Sequence, residues 1–340
     1  MKRLLVTGGA GFIGSNWVRL ALQRPDLERL VVLDKLTYAG NLANLAGLDA
    51  DPRFRFVQGD IADTETVGRL LEHEPVDAIV NFAAESHVDR SVLDPSAFLR
   101  TNVHGVYVLL EACRAYGVGR FLQVSTDEVY GAVLVGRSTE RDPLAPRSPY
   151  SAAKAAGDLL ALSYHATYGL DVVVTRGANT IGPYQYPEKA TPLFITNAID
   201  GEPLPIYGDG KAIRDYLYVD DHCRAIALVL DAGQPGEVYN VGNDEEIDTL
   251  TLAEAILALL DRPRSLIRLV EDRPGHDRRY AVDSTKLRAL GWRPERDFES
   301  TIAATVEWYR QNEAWWRPIR NGEFREFYQR LYGKRLGISE

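Results

Sequence analysis

The sequence LLVTGGAGFIG, residues 4–14, decides the fold, because a short apolar run passes directly into glycines and then into a helical pattern. Gly8, Gly11 and Gly14 recur every three residues. Glycine permits a tight turn, and the backbone N–H groups of such a turn can approach a pyrophosphate at the positive end of a helix. Asp34 follows twenty residues after Gly14, where its carboxylate can accept a hydrogen bond from an adenosine ribose. A carboxylate also repels a 2′-phosphate, so the pattern predicts a site for NAD+ in preference to NADP+.

Short β-branched runs alternate with helical patterns through the first half of the chain. The predicted strands are residues 4–7, 30–34, 54–58, 78–82, 121–125 and 172–176, and the predicted helices are residues 12–23, 64–72, 96–116 and 150–168. Continuous apolar strands between helices indicate a parallel sheet covered on both faces. Beyond residue 176 the elements become shorter and richer in proline and glycine.

The predicted fold class is therefore α/β, with a Rossmann-like doubly wound parallel sheet and a smaller α/β substrate-binding domain. We assign residues 1–178 and about 214–243 to the NAD-binding domain. Residues from about 179 to 213 and from 244 to 340 are assigned to the nucleotide-sugar-binding domain.

The composition excludes several classes of partner. The chain has 340 residues, of which 45% are apolar and 26% charged, and its net charge is −9. An acidic protein is a poor match for nucleic acid or an anionic membrane, so neither is predicted as a partner. The two cysteines, Cys113 and Cys223, have no metal-ligand spacing, and no run is long enough for a signal peptide or a membrane span. We predict a cytoplasmic protein without a metal site.

Tyr150 and Lys154 are four residues apart at the start of a predicted helix and therefore share one face. A tyrosine is too weak a base near neutral pH, and a neighbouring ammonium is expected to lower the pKa of its phenol. Thr126 adds a hydroxyl at the end of the preceding strand. The three groups predict a hydride-transfer site for a secondary alcohol.

Asp127 and Glu128 follow Thr126 directly. Removing water from an oxidised sugar requires a base for the proton next to the ketone and an acid for the leaving hydroxyl, and two carboxyl groups can supply both. Adjacent residues on a strand point in opposite directions, so both can act only if the strand ends there. Without that turn, the alternative is a capping residue beside a solvated acid.

The chain resembles the extended short-chain dehydrogenase/reductase family over essentially its whole length, and within it the nucleotide-sugar 4,6-dehydratases that act on dTDP-glucose. The matching motifs are residues 7–14, 34–41, 83–91, 125–131, 148–154, 182–189 and 272–277. The glycine and Tyr-Lys motifs are shared by the whole superfamily, whereas Thr-Asp-Glu is specific to dehydratases. Related sugar epimerases carry small or hydroxyl residues at the positions of the two acids.

The resemblance implies a role for each catalytic residue. Tyr150 takes the proton of the sugar 4-hydroxyl, assisted by Thr126 and Lys154. Glu128 then removes the C5 proton, and Asp127 protonates the C6 hydroxyl so that water leaves. The product is a 4-keto-6-deoxy sugar, a precursor of deoxysugars such as rhamnose, and the cycle consumes no NAD+.

The same resemblance assigns the binding residues. The cofactor residues are Gly8, Gly11, Phe12, Ile13, Gly14, Asp34, Lys35, Thr37, Asp60, Ile61, Phe82, Ala83, Ala84, Ser86, Thr101, Tyr150, Lys154 and Thr180, with Asp60 near the adenine. The substrate residues are Ser86, Thr126, Asn179, Glu188, Lys189, Pro205, Tyr207, Arg214, Thr249, Arg273 and His276. Lys189 and Arg214 are expected to hold the diphosphate. The chain departs from the family pattern at Thr180, Thr249 and Phe324, and relatives form homodimers through the helices at residues 96–116 and 150–168.

Three alternatives remain at this stage. The nucleotide of the substrate can be UDP or CDP instead of dTDP. A nucleotide-sugar 4-epimerase would share the fold, the cofactor and the tyrosine, but it needs no acid and base at C5 and C6. A non-catalytic regulator that senses NAD would have no use for Tyr150 and Lys154.

Overall fold

The short apolar runs of the sequence form strands in the computed structural model, which describes residues 1–337. In chain order the strands are β1 (Arg3–Thr7), β2 (Arg29–Asp34), β3 (Phe54–Gln58), β4 (Ala78–Asn81), β5 (Arg120–Thr126), β6 (Val172–Gly177), β7 (Asn179–Ile181), β8 (Leu204–Tyr207), β9 (Ile213–Tyr218), β10 (Val238–Val241), β11 (Glu246–Asp248) and β12 (Ile267–Val270). All six predicted strands are present, within two residues at each end.

The helices also follow the predicted pattern in the first half. They are α1 (Phe12–Ala21), α2 (Thr64–His73), α3 (Val88–Leu93), α4 (Ser96–Leu99), α5 (Val106–Tyr116), α6 (Pro149–Tyr168), α7 (Ala190–Asp200), α8 (Val219–Ala232), α9 (Thr249–Leu259), α10 (Thr285–Ala289), α11 (Phe298–Gln311), α12 (Glu313–Ile319), α13 (Glu323–Tyr328) and α14 (Lys334–Leu336). The predicted helix 96–116 is interrupted, because Arg100–Gly105 forms a π-helical turn between α4 and α5.

Seven strands form one parallel sheet in the order β3-β2-β1-β4-β5-β6-β10. The chain winds outward from β1 in one direction and from β4 in the other, so the carboxyl ends of these two strands form the crevice where such sheets bind ligands. Leu4 and Val6 face one apolar core, together with α1 and α8. Leu5 faces a second core on the other side, with α2, α5 and α6. This confirms the predicted doubly wound sheet.

The second half of the chain builds two small sheets over the carboxyl edge of the large one. One has the order β11-β9-β7, and the other pairs β12 with β8. These sheets share a separate apolar core with α7, α9 and α11. Within the segment assigned to about 214–243, β9 pairs in the small sheet, whereas β10 pairs with β6 in the large one. The exact domain division remains a prediction.

Among residues 1–337, no helix is both long and apolar enough to cross a membrane.

Candidate active site

The glycine turn after β1 is shaped by close backbone contacts. Gly8 has a φ of +68°, and a Cβ atom there would lie 2.5 Å from the backbone nitrogen of Ala83. A Cβ atom at Gly14 would lie 2.3 Å from the carbonyl oxygen of Gly8. Only glycine fits at these two positions, and the turn opens onto the N-terminus of α1. The cradle therefore fits a pyrophosphate, which backbone N–H groups and the helix dipole would hold.

Asp34 ends β2 beside this turn and is 8% exposed. Its Oδ2 accepts a hydrogen bond from the Ala10 nitrogen at 2.9 Å, and its Oδ1 accepts one from the Leu36 nitrogen at 2.8 Å. Burial raises the pKa of Asp34, and these two N–H donors oppose that effect. Each carboxylate oxygen retains a lone pair that can accept from a ribose hydroxyl. Asp34 thus braces the glycine turn and also fits the ribose of NAD+.

The predicted cofactor residues surround one cleft, with one exception. The cleft is lined by Gly8, Gly11, Phe12, Ile13, Gly14, Asp34, Lys35, Thr37, Asp60, Ile61, Phe82, Ala83, Ala84, Ser86, Thr101, Tyr150 and Lys154. Lys35 contacts Asp60 at 2.9 Å, which closes one side of the cleft. Thr180 is the exception, because it lines the neighbouring cavity instead.

The chain turns immediately after β5. Asp127–Tyr130 forms a 3-10 turn, and the Thr126 hydroxyl caps it by accepting a hydrogen bond from the Glu128 nitrogen at 3.3 Å. Because the strand has ended, Asp127 and Glu128 both line the same cavity, together with Thr126 and Tyr150. The geometric condition for using both acids is met.

Asp127 is 3% exposed, and its Oδ2 has no hydrogen-bond partner among the described residues. Burial, followed by the negative charge of Glu128, raises the pKa of Asp127 to about 8. Asp127 is therefore protonated at neutral pH and can donate a proton to a leaving hydroxyl. Glu128 is half-buried at the cavity wall. The two adjacent carboxyl groups thus occupy different environments, as an acid and a base require.

Helix α6 places Tyr150 and Lys154 opposite this turn. The helix begins with a capping box. The side-chain oxygens of Ser148 and Ser151 each accept a hydrogen bond from the other residue's backbone nitrogen at 3.1 Å. Tyr150 follows Pro149 in the first turn, and its ring packs edge-on against Phe98. Lys154 is buried one turn later, and its Nζ donates to the Val124 carbonyl at 2.7 Å.

The predicted lowering of the Tyr150 pKa by Lys154 is wrong for this structure. Burial and the negative charge of Glu128 raise the pKa of Tyr150. Burial also lowers the pKa of Lys154 to about 8. The ammonium is directed to a carbonyl of β5, and no cation is among the largest influences that the described residues exert on the pKa of the phenol. The spacing predicted the shared helix face correctly but not the direction of the ammonium.

The second cavity, of about 310 Å³, adjoins the cleft at Tyr150 and is lined by the predicted substrate residues. These are Ser86, Thr126, Asn179, Glu188, Lys189, Pro205, Tyr207, Arg214, Thr249, Arg273 and His276. Three of them are cations, Lys189, Arg214 and Arg273, which provide local positive charge in an acidic protein. The Asn179 Oδ1 is buried without a partner in the described chain, so it remains available to a ligand donor. The cavity fits an anionic sugar derivative.

Contacts around the cationic residues fix their positions. Lys189 donates from Nζ to the Ser86 carbonyl at 2.6 Å. Burial lowers the pKa of Lys189, and Glu188 opposes this shift. Arg214 donates to the Asp277 carbonyl at 3.0 Å and lies 4.2 Å from the centre of the Tyr280 ring.

The three departures from the family pattern have different surroundings. Thr180 lies 2.8 Å from Nδ1 of the buried His222, and burial lowers the pKa of His222 to about 4. The Thr249 hydroxyl donates to the Ala212 carbonyl at 3.2 Å at the cavity wall. Phe324 is 3% exposed and lies in the apolar core that the two small sheets share with α7, α9 and α11. This core is called the core of the second region, and Phe324 does not line the cavity.

Sequence reasoning missed several residues of the cavity wall. These include Asp89, Gln185, His222, Tyr280 and Tyr332. Asp89 and Gln185 lie inside motifs that the resemblance already marked, so their positions gave a usable signal. His222, Tyr280 and Tyr332 reach the cavity only through the fold of the second region. In the described chain no group of three or more histidine, cysteine or acidic residues is arranged to hold a metal ion.

Known proteins share this arrangement over nearly the whole chain. Residues 5–305 match the model of the family described as GDP-mannose 4,6 dehydratase. A dTDP-glucose 4,6-dehydratase of Streptomyces niveus is 52% identical over 324 residues, which cover 94% of this chain and 96% of the relative. The crystal structure of DesIV, a dTDP-glucose 4,6-dehydratase from Streptomyces venezuelae with NAD bound, is similar at a TM-score of 0.90 and 54% identity. That match covers 93% of this chain and 99% of DesIV.

An epimerase has the same fold at lower identity. The UDP-glucose 4-epimerase of Thermus thermophilus, solved in complex with NAD, has a TM-score of 0.85 and 35% identity to this chain. The match covers 91% of this chain and 99% of the epimerase. Fold similarity alone therefore does not separate dehydration from epimerisation, and the side chains of the site must do so.

Proposed function

The chain belongs to the GDP-mannose 4,6 dehydratase family, and from that premise we propose that it is a dTDP-glucose 4,6-dehydratase using tightly bound NAD+. It converts dTDP-glucose to dTDP-4-keto-6-deoxyglucose with loss of one water. The observation that carries this proposal is the turn after β5, which brings Asp127 and Glu128 to the cavity that Tyr150 also lines.

The residues divide the reaction between them. Tyr150 accepts the proton of the sugar 4-hydroxyl in its ionised form, which the positive nicotinamide of bound NAD+ would favour against the burial that raises the pKa of the phenol. Thr126 hydrogen-bonds to that hydroxyl. Bound NAD+ supplies the hydride acceptor for this oxidation and the donor for the final reduction. Glu128 removes the proton at C5, which the 4-ketone has made acidic, and returns a proton to C5 when C6 accepts the hydride. Asp127 delivers its proton to the C6 hydroxyl, which leaves as water.

The buried state of Asp127 favours dehydration over epimerisation. An epimerase needs no proton donor at C6, whereas this chain buries a carboxyl group whose pKa of about 8 keeps it protonated at neutral pH. Burying an ionisable group without using it would only reduce stability. Lys189, Arg214 and Arg273 provide cations at the cavity for the diphosphate of the substrate.

Product mass distinguishes the candidate activities. The protein is incubated with dTDP-, UDP- and CDP-glucose, first one at a time and then as a mixture. The masses of the sugar nucleotides are then measured by mass spectrometry. We expect a product lighter by one water, formed fastest from dTDP-glucose. An isomer of unchanged mass would identify an epimerase, and preference for UDP- or CDP-glucose would correct the nucleotide. No change with any of the three would support a non-catalytic protein that senses NAD.

The surface supports a homodimer as the working form. Large apolar side chains are exposed on the two helices predicted to pair, including Leu99, Tyr107 and Leu159, at 58%, 44% and 58%. The α6 helix contacts both α4 and α5, and exposed apolar side chains on neighbouring helices are typical of a protein–protein contact. A second copy of the chain, seated through α4–α5 and α6, would cover these side chains.

The cell compartment and the product's fate complete the proposal. Cys113 and Cys223 are both free and buried, which is compatible with a reducing cytoplasm. The keto-deoxy product suits further reduction and transfer in deoxysugar synthesis, of which rhamnose is the example that the family implies.

A further inference from the structure

Helix α12 reaches back from the second region to the glycine turn. The indole nitrogen of Trp315, on this helix, donates to Oδ1 of Asn44 at 2.9 Å. Asn44 is 1% exposed and lies in the connection between β2 and β3. Its Nδ2 donates to the carbonyl oxygen of Ala10 at 2.9 Å. Ala10 lies between Gly8 and Gly11, so one buried amide joins α12 to the pyrophosphate cradle.

The amide of Asn44 cannot satisfy both contacts in another orientation. Its nitrogen must face a carbonyl and its oxygen must face an N–H group, and the structure supplies one of each. Its backbone carbonyl also accepts from Arg19 of α1 at 2.8 Å. Asn44 is therefore held on three sides, and its side chain has little freedom to lose when a ligand binds.

An aromatic cluster links Trp315 to a residue that lines both cavities. Its ring packs against Tyr184 and Trp308, with centroids 5.8 and 5.1 Å away. Tyr184 directly precedes Gln185, which lines both the cofactor cleft and the substrate cavity. The Tyr309 hydroxyl donates to the Gln185 carbonyl. The aromatic cluster thus connects the glycine turn to the segment that covers the cofactor cleft.

A second bridge runs beside the first. Asn16 of α1 donates from Nδ2 to the Pro183 carbonyl at 3.0 Å and to the Phe12 carbonyl at 2.9 Å. Arg19 lies 5.3 Å from the centre of the Tyr184 ring. Opening the cleft between the glycine turn and residues 183–189 would break the contacts of Asn16 with Pro183 and of Arg19 with Tyr184 together, whereas the Asn16–Phe12 bond lies within α1.

We propose that Trp315 and Asn44 are positioning residues that slow the release of NAD+ by tying the glycine turn to helix α12. The reaction leaves NAD+ unchanged overall, so an enzyme of this kind gains from retaining it between turnovers. The inference rests on the proposed function for the identity of the cofactor only. Release requires the turn to loosen, and the Trp315–Asn44–Ala10 chain opposes that movement.

The test compares two tryptophans of the same helix. Trp315→Phe removes the indole N–H that reaches Asn44 and keeps an aromatic ring in the cluster. Trp316→Phe removes an indole N–H that donates to the Tyr309 carbonyl at 2.9 Å, entirely within the second region. Trp316 is also more deeply buried, at 1% exposed, so its replacement is expected to reduce stability at least as much.

The measurement is the rate of NAD+ release from the loaded protein after dilution into a trap for free NAD+. We expect Trp315→Phe to accelerate release by about fivefold, which is the effect of one ordinary hydrogen bond. Trp316→Phe is expected to stay within about twofold of the wild-type rate despite its lower melting temperature. Unchanged release from Trp315→Phe, or equal acceleration in both variants, would overturn the proposal.

A double-mutant cycle of Asn44→Ala and Trp315→Phe measures whether the two residues act together on the rate of NAD+ release. If the two residues act through one chain of contacts, the double variant releases NAD+ little faster than Asn44→Ala alone. If the double variant accelerates release by the product of the two single effects, the two residues act separately. That result would contradict the proposal. A wild-type protein that binds NAD+ but dehydrates no sugar would disprove the function and leave this test intact.

Discussion

Asp127 and Glu128 differ by one position in sequence and by their surroundings in the fold. Asp127 points into a buried space where its Oδ2 has no partner among the described residues, and its pKa rises to about 8. Glu128 lies at the wall of the same cavity. The sequence predicted that the two acids act together and that the strand must end before them, but not which carboxyl group is buried. The 3-10 turn capped by Thr126 determines that Asp127 is the buried one.

Glu128→Gln tests the division of labour at residue scale. The variant retains Tyr150 for the first oxidation but has no base for the C5 proton, so reduced cofactor and a keto sugar that retains its 6-hydroxyl should accumulate. Absorbance of the reduced nicotinamide after mixing with dTDP-glucose reports this. Tyr150→Phe is the control and should give no reduced cofactor. Normal turnover by Glu128→Gln would remove Glu128 from the mechanism.

Asp127→Asn should increase stability while abolishing dehydration. The pKa of Asp127 is raised from an ordinary value of 3.8 to about 8 in the folded protein. Because the pKa is raised on folding, the contribution of Asp127 to the free energy of unfolding is fully present below about pH 4. That contribution is lost as the pH rises toward 8. An asparagine cannot ionise and avoids this loss. Thermal unfolding should show a gain for the variant that is at least ~1 kcal/mol larger at pH 8 than at pH 5. An equal effect at both values would contradict the buried, neutral acid.

At the scale of elements, the first half of the fold was predictable because strands such as β1 and β2 are nearly continuous apolar runs and helices such as α2 have an apolar face. The π-helical turn at Arg100–Gly105 was not predicted, because its sequence RTNVHG contains no glycine or proline break that separates it from the helices on either side before Gly105. Strand β10 was missed as well, because Val238–Val241 is only four residues long. It is recognised as a strand by its pairing with β6, which local sequence does not show. The capping box at Ser148, which begins the helix that carries Tyr150, was not predicted.

Gly14→Ala should abolish NAD+ binding without unfolding the protein. The added Cβ atom would meet the Gly8 carbonyl at 2.3 Å and displace the turn that forms the pyrophosphate cradle. Gly11→Ala is the matched variant, because its Cβ atom would lie 3.2 Å from the same oxygen and needs a smaller adjustment. Calorimetric titration with NAD+ should show no measurable binding for Gly14→Ala and weakened binding for Gly11→Ala. Equal, near-normal affinities would argue against this turn as the cofactor site.

At the scale of the whole molecule, the site is assembled from both halves of the chain. The glycine turn and the catalytic helix come from the first half, and their chemistry could be inferred from local spacing. His222, Tyr280 and Tyr332 come from the second half, where no local pattern indicates that they converge. The direction of Lys154 toward Val124 likewise depends on the packing of α6 against β5. Contacts between distant segments account for most of what the sequence left open.

The dimer proposal also belongs to this scale. Leu159→Glu should shift the protein to a monomer, because it places a charge in the apolar face of α6 that a second copy would bury. Leu269→Glu is the control, since Leu269 is 60% exposed on β12, far from that face in the chain. Sedimentation velocity of both variants and the wild type measures the change. A dimer that persists in Leu159→Glu would place the contact elsewhere.

We propose that one cavity oxidises a hexose, removes water from it and returns the same hydride. The decisive experiment incubates the wild-type protein in ordinary water with dTDP-glucose deuterated at C4. We expect a product lighter by one water that keeps the whole deuterium label, now at C6, as seen by mass spectrometry and NMR. Water loss with release of the label, or an isomer of unchanged mass, would contradict it.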